Sequence, residues 1–393
     1  MTRRHLLGTA LAAGASLPIA AAGRAWAAPT GSDPLLPGPL RPVLPRPTGP
    51  YPVGTVALHL VDRSRPDPVA GPGHHRALMT SVWYPAQGVG RCPTALWTPP
   101  AVLRPLLAYN GFPADVALPP RTVGHLGAPL RRTAERLPVI LFSHGAHDHR
   151  AESTVVVQEL ASHGYVVVTV DHTYDAFSEF PDGRITVPLD NPSLGAADFA
   201  TDIRFVLDCV EELAAGRNPD ADHRTLPTGL AGSLDRHRIG MFGNSKGGTA
   251  TALVMSADPR VRAGLSVDGP MQPLITTELD RPFMMITAEF TRALQPSVAE
   301  FWSRLRGWRL NIQVAGAVHS SYSDTQVLIP QLAKAAGMSD ADLLDWVGTL
   351  PPSRAVRIQQ AYPLAFFDLH LRQRREHLLD GPSPAFPEVT FLP

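Results

Sequence analysis

The sequence predicts an α/β protein, a mostly parallel central sheet with helices on both faces. Three observations carry this. From about residue 137 short apolar runs alternate with helical segments, the one-dimensional pattern of strand–helix–strand units. Two of the runs, L-P-V-I-L-F-S at 137–143 and Y-V-V-V-T-V at 165–170, are apolar at nearly every position, as strands covered on both faces are. A third, R-I-G-M-F at 238–242, leads into G-N-S-K-G-G and then a small-residue stretch at 249–257, so a strand meets a helix through a sharp turn.

Composition bounds the rest. The chain has 393 residues, 44% of them hydrophobic, enough for one large core. A formal net charge of zero gives no sign of a nucleic-acid partner. The 41 prolines and 32 glycines imply many turns and stiff loops. Cys92 and Cys209 cannot be assigned as a bridge from sequence. With no internal repeat and no second boundary, 53–393 reads as a single domain.

Taken in order, residues 1–27 read as an export signal. Arg3-Arg4 precedes an alanine-rich, mildly apolar run to Ala22, and Ala25-Trp26-Ala27 has the form of a cleavage site. Paired arginines before a weakly hydrophobic core predict the twin-arginine route and a secreted, extracellular protein. Residues 28–52 are proline-rich with few apolar anchors, which predicts an extended linker. Strands are expected at 55–62 and 78–84, joined by a loop and therefore antiparallel. Residues 98–136 look like a loop-rich insertion with one short helix at 102–109, either a lid or a peripheral excursion.

Regular alternation follows. A helix is expected at 153–163, and an amphipathic one at 196–215 that lines Phe199, Ile203, Val206 and Val210 along one face. Further strands are expected at 263–267, 283–287 and 310–314, the last of the sheet, with a helix at 297–305. The C-terminal third reads as helices at 326–336, 340–349 and 353–375.

The turn at 243–248 is where chemistry concentrates. G-x-S-x-G is the form of a nucleophile elbow: the turn lifts the Ser245 hydroxyl clear of the backbone and imposes an unfavourable φ/ψ on it. Gly243 and Gly247 supply the missing Cβ atoms that such crowding requires. A serine nucleophile needs an imidazole base and a carboxylate to orient that base, in the order Ser, acid, His along this architecture. His319 follows the last expected strand in G-A-V-H-S-S-Y, at the strand end where open α/β sheets place their sites. His370 and His377 sit on a charged helical stretch and are expected to face solvent. Asp268 and Glu289 each follow a strand, and spacing alone leaves them level as the acid. Asp280 precedes its strand, at the wrong edge.

An oxyanion needs backbone donors. The Lys246 N–H is one candidate, and the Ala146 N–H, in the His144-Gly145-Ala146 turn after 137–143, is the other. The cluster His144, His147, Asp148, His149 invites a metal reading, but neighbours on one loop point in different directions, so no metal or cofactor is expected. Asp171-His172 reads as a capping or pocket-lining pair.

With these residues in place, the chain resembles the α/β-hydrolases of the plasma-type platelet-activating-factor acetylhydrolase group and their bacterial secreted esterase and lipase relatives. The likeness runs from about residue 50 to 372. It rests on V-I-L-F-S-H-G, I-G-M-F-G-N-S-K-G-G-T-A, G-L-S-V-D-G-P-M-Q-P-L and G-A-V-H-S-S-Y-S-D-T. The resemblance implies an α/β-hydrolase fold and a serine ester hydrolase cleaving short- to medium-chain acyl esters, lipids included. It places the acid on Asp268 and gives Glu289 no role. It also admits transient contact with a lipid surface. Two residues depart from the family elbow: Asn244 stands for its histidine and Lys246 for an apolar residue, and Lys246 is expected to put a cation or a long stem beside the pocket. Acyl transfer by the same triad, or a non-catalytic binding module on this fold, remain the alternatives.

Overall fold

The computed structural model describes residues 38–375 and 377–393. The expected export signal at 1–27 lies outside them. The first strands are β1 (Val53–Pro66) and β2 (His75–Pro85), an antiparallel pair in which β1 is partly exposed and β2 is buried except at His75 and Ser81. They run several residues further than expected, leaving 67–74 as the connecting loop. β3 (Thr94–Leu96), helix α1 (Pro100–Tyr109) and β4 (Arg121–Leu126) follow.

The stretch read as a loop-rich insertion is therefore partly sheet. β4 pairs in parallel with the start of β1 and antiparallel with β3, so it extends the sheet at one edge. The signal was hidden by Gly124, which reads as a strand breaker. A Cβ there would lie 2.5 Å from the Trp83 ring, so the glycine makes room for an indole on the neighbouring strand pair.

The parallel core starts at β5 (Leu137–Ser143), followed by α2 (Thr154–Ser162) and β6 (Val166–Asp171). A two-residue hairpin, β7 (Ser178–Glu179) and β8 (Ile185–Thr186), precedes α3 (Ala196–Ala214). Then come β9 (Leu234–Asn244), α4 (Lys246–Ala257), β10 (Val261–Val267), β11 (Phe283–Thr287), α5 (Pro296–Arg304) and β12 (Arg309–Val314). The chain ends with α6 (Thr325–Leu332), α7 (Asp340–Val347), α8 (Pro352–Arg372) and a strand beyond the last one expected, β13 (Val389–Leu392), antiparallel to β12.

Eleven strands form one sheet in the order β13-β12-β11-β10-β9-β5-β6-β2-β1-β4-β3, parallel from β12 through β6. Strand periodicity divides the core. Val139 and Leu141 of β5 pack with Ile203, Val206 and Leu207 of α3 on one face. Ile140 and Phe142 pack with Val156 and Leu160 of α2 and Phe366 and Phe367 of α8 on the other. Gly240 of β9 lets α8 approach, since a Cβ there would lie 2.6 Å from Phe367.

The expected linker is not free chain over its described part. Leu40 exchanges backbone hydrogen bonds with Val116 and Leu118, Leu44 is buried, and the Thr48 N–H donates to Glu159 at 2.7 Å. Gln331 of α6 both accepts from the Val43 N–H and donates to the Val43 carbonyl. Proline-rich composition signals extended backbone correctly. It says nothing of the surfaces that such a strap lies against, here α2 and α6.

Candidate active site

The C-terminal ends of the parallel strands gather the residues singled out above. Ser245 stands between β9 and α4 with φ 52° and ψ −117°, a conformation only a tightly constrained turn imposes on a side-chain-bearing residue. The constraint is crowding. A Cβ on Gly243 would lie 2.2 Å from the Gly247 carbonyl, and one on Gly247 would lie 2.0 Å from the Ser143 carbonyl oxygen of β5. Gly247→Ala must therefore push strand from helix. It is expected to lower stability by about 3 kcal/mol, checked by the denaturant midpoint.

One strand over, Asp268 follows β10 and is fully buried. Its Oδ1 accepts the N–H groups of Ala288, Glu289 and Phe290 at 2.8, 3.1 and 2.9 Å, and its Oδ2 lies 2.5 Å from His319 Nδ1. Burial opposes ionisation, but the bond and charge of His319 and the backbone donors outweigh it, so the carboxyl sits below the usual aspartate range. His319 opens a single helical turn after β12 and meets Phe290 edge-on, ring centroids 5.2 Å apart. The Ser245 N–H donates to the carbonyl of Val267, the residue before Asp268, at 2.8 Å. The structure thus joins acid to imidazole and brings the serine to the adjoining strand end. Among the described residues the Ser245 hydroxyl has no hydrogen-bond partner, so the serine–histidine bond is not closed here.

Glu289 has a place that sequence did not give it: its Oε1 accepts the His319 N–H at 3.3 Å. It braces the backbone of the histidine while Asp268 holds the ring. Asp280 is exposed at the opposite strand end, as expected. Ala146 lies in the turn after β5 and Lys246 opens α4, and Gly145 brings the two segments together: its Cβ would lie 3.4 Å from Ser245 Cβ.

A model of the platelet-activating factor acetylhydrolase, isoform II family matches residues 41–178 and 199–380. The chain belongs to that family. A probable 1-alkyl-2-acetylglycerophosphocholine esterase of Arthroderma benhamiae is 30% identical over 277 residues, 65% of this chain and 66% of that protein. A platelet-activating factor acetylhydrolase of Cavia porcellus is 25% identical over 240 residues, 54% of this chain and 55% of the other. The chain therefore spans just under two thirds, and just over half, of these relatives' lengths. Among solved structures, a ferulic acid esterase from Streptomyces cinnamoneus matches with a TM-score of 0.76 and 31% identity, covering 90% of this chain and 99% of that one. The fold is that of the α/β-hydrolases.

The family's elbow histidine is replaced by Asn244, whose Nδ2 donates to buried Glu152 Oε1 at 2.7 Å. The Lys246 ammonium is paired rather than free: its Nζ donates to Asp175 Oδ2 at 2.5 Å and the Leu194 carbonyl at 2.7 Å, 5.0 Å from the Phe199 ring centroid, and Asp175 Oδ1 accepts the His147 N–H of the turn after β5. A buried carboxylate and an aromatic face on one side decide its direction, and neither is adjacent in sequence.

Most of the histidine cluster is spent on protein partners, although His149 accepts only the Ala151 N–H on Nδ1, and its buried Nε2 has no hydrogen-bond partner among the described residues. His144 Nδ1 donates to the Gly145 carbonyl, and its Nε2 accepts the His172 N–H. His172 stacks on Phe199 at 3.7 Å between Ser143 and Asp202, the latter ion-paired with Arg76. Asp171 pairs with Arg150. Among the described residues no group of three or more His, Cys, Asp or Glu side chains converges as a metal site. Cys92 and Cys209 are both free thiols. His377 is exposed, but His370 is not as expected: it is wedged between Trp308 and Phe366.

Burial lowers the pKa of His144 and His370 to about 4, and lowers His149 and His172 as well. Each imidazole takes up a proton near pH 6.5 when unfolded but resists it when folded. The sign follows: their contribution is fully present above pH 6.5 and is lost as pH falls toward 4. Asp324, pushed up to about 7 by burial, works the other way as a single group. The denaturant midpoint is expected to fall from pH 7 to pH 5, at about 1.4 kcal/mol per pH unit for each imidazole that stays neutral.

Proposed function

We propose that this chain is a secreted serine ester hydrolase acting on short- to medium-chain acyl esters. One observation carries the reading: a serine held at positive φ on a strand–helix turn, one strand from a buried Asp268–His319 pair. Ser245 attacks the ester carbonyl while His319 takes its proton through Nε2. The Ala146 and Lys246 N–H groups hold the oxyanion. His319 then protonates the leaving alcohol, an acyl-enzyme forms, and water releases it by the reverse sequence. Asp268 keeps the proton of neutral His319 on Nδ1, so that Nε2 is free to act as base. The names of the relatives, acetylhydrolases and esterases, support the class of bond. Secretion rests on the Arg3-Arg4 and Ala25-Trp26-Ala27 signature of the first 27 residues.

The acyl range is inferred from an apolar pocket walled by α1, α6 and α7, whose lining does not include Ser245 or His319. Trp97, Leu107, Phe112, Ile329 and Leu332 line it, and Glu152, which also lines it, accepts from Asn244 beside the nucleophile. So apolar a wall suits a hydrocarbon or aromatic acyl group better than a sugar. An ester panel running from acetyl to dodecanoyl, with a feruloyl ester beside it, tests this. Turnover is expected to peak between butyryl and octanoyl. Preference for the feruloyl ester would move the assignment to hydroxycinnamoyl esters, the class for which the Streptomyces cinnamoneus esterase is named, and absence of turnover on every ester would overturn the reading.

A further inference from the structure

The segment that offers one oxyanion donor is Gly145-Ala146-His147, and the segment that offers the other is Asn244-Ser245-Lys246. The residues flanking Ala146 and those flanking Ser245 are tied pairwise through two buried carboxylates. Glu152, 5% exposed, accepts the Gly145 N–H on Oε2 at 2.7 Å and the Asn244 side-chain amide on Oε1 at 2.7 Å. Asp175, 2% exposed, accepts the His147 N–H on Oδ1 at 2.9 Å and the Lys246 ammonium on Oδ2 at 2.5 Å. In each case one oxygen holds the loop and the other holds the elbow.

From this we infer that Glu152 and Asp175 are positioning residues that set the width of the oxyanion hole. They touch no reacting atom. Their effect passes through the Ala146 and Lys246 N–H groups, whose spacing they fix from both sides. The inference rests on the ester-hydrolase reading and explains the two elbow departures: Asn244 and Lys246 are the side chains through which the elbow reaches these carboxylates. The physical need is plain. A hole works only if its donors stand where the oxyanion will be before it forms, and a flexible loop facing an elbow does not ensure that. The geometry around Gly145 adds to the case, since its missing Cβ would lie 3.3 Å from Glu152 Oε1 and 3.4 Å from Ser245 Cβ, so carboxylate and nucleophile share one side of that residue.

The test compares Glu152→Leu, Glu152→Gln and Lys246→Met with the full-length parent. Glu152→Leu is expected to lower kcat by about 100-fold with KM changed less than about threefold, the scale of losing one oxyanion donor. Glu152→Gln is expected to stay within about fivefold: its carbonyl still accepts from Gly145, and Asn244, whose Oδ1 has no partner among the described residues, can flip to accept from the new amide. Lys246→Met frees one side of Asp175 and is expected to cost about tenfold in kcat.

The second readout is inhibition by a trifluoromethyl ketone, whose hemiketal oxyanion occupies the hole. Its Ki should rise in parallel with each loss of kcat/KM. Leucine and methionine variants that keep kcat within about threefold, or lose kcat/KM with Ki unmoved, would overturn the positioning role. If Glu152→Leu does not fold, Asn244→Ala removes the same tie from the elbow side and is read the same way. A parent that turns over no ester and carries no Ser245-dependent fluorophosphonate label overturns the hydrolase reading, and this inference with it.

Discussion

Ser245→Ala is expected to lower kcat/KM on any accepted ester by about 10⁴-fold or more, equivalent to about 5.5 kcal/mol of transition-state stabilisation. The fold should be untouched. Among the described residues the Ser245 hydroxyl bonds to nothing, so its removal breaks no contact, and alanine inherits the same φ of 52° with a Cβ already accommodated. What remains after the change is the contribution of the oxyanion donors and of substrate binding, a residue of catalysis rather than none. Three measurements separate the outcomes: p-nitrophenyl ester turnover, covalent labelling by a fluorophosphonate, and the denaturant midpoint. Turnover should fall by about 10⁴-fold and labelling should vanish, while the midpoint stays within about 0.5 kcal/mol of the parent. Labelling that persists on the alanine variant would move the nucleophile elsewhere.

The elbow was legible in sequence because its demands are local. A serine forced to positive φ between a strand and a helix needs glycines two residues either side, and G-N-S-K-G states this without help from the rest of the chain. His319 was legible for a different reason, as were Asp268 and Glu289 together: parallel strands place whatever follows them at one edge, so position after a strand is position in the site, and the family resemblance, not spacing, chose Asp268. What sequence could not give is which side chains meet across that edge. Glu152 lies in the turn just before α2, and nothing in R-A-E-S-T distinguishes it from a helix-capping acid, yet it joins Gly145 to Asn244. The partners of Lys246 were hidden for the same reason, because Asp175 and Phe199, which its ammonium meets, lie 71 and 47 positions away.

The fold shows the same division. Strands buried on both faces, such as β5 and β6, are apolar at nearly every position and need no partner to be recognised. Strands at the edge carry no such mark. β4 contains a glycine that exists for Trp83, and β13 is four residues long and gains its identity only by pairing with β12. His370 was read as exposed because its neighbours in sequence are charged. Its neighbours in space are Trp308 and Phe366, and the helical periodicity that puts it on their side is diluted by the basic residues just after it.

Asp268→Asn and Glu289→Gln should differ by three orders of magnitude, although sequence spacing ranks the two acids together. In the parent, three N–H groups from 288–290 converge on Oδ1 of Asp268, which leaves Oδ2 to accept from His319 Nδ1. Those donors would also fix the orientation of an asparagine. Its carbonyl oxygen must take the Oδ1 place, and its amide nitrogen then faces the histidine as a donor. His319 Nδ1 is forced to accept, its proton moves to Nε2, and the nitrogen meant to receive the serine proton already carries one. A loss of about 10⁴-fold in kcat follows from the wrong tautomer alone, with little change in volume. Glu289→Gln keeps an oxygen to accept the His319 N–H and is expected to cost no more than about fivefold. Steady-state kinetics of the two variants on one ester decide the matter. A Glu289→Gln loss as deep as that of Asp268→Asn would show that both carboxyls govern the imidazole, and an active Asp268→Asn would remove Asp268 from the triad.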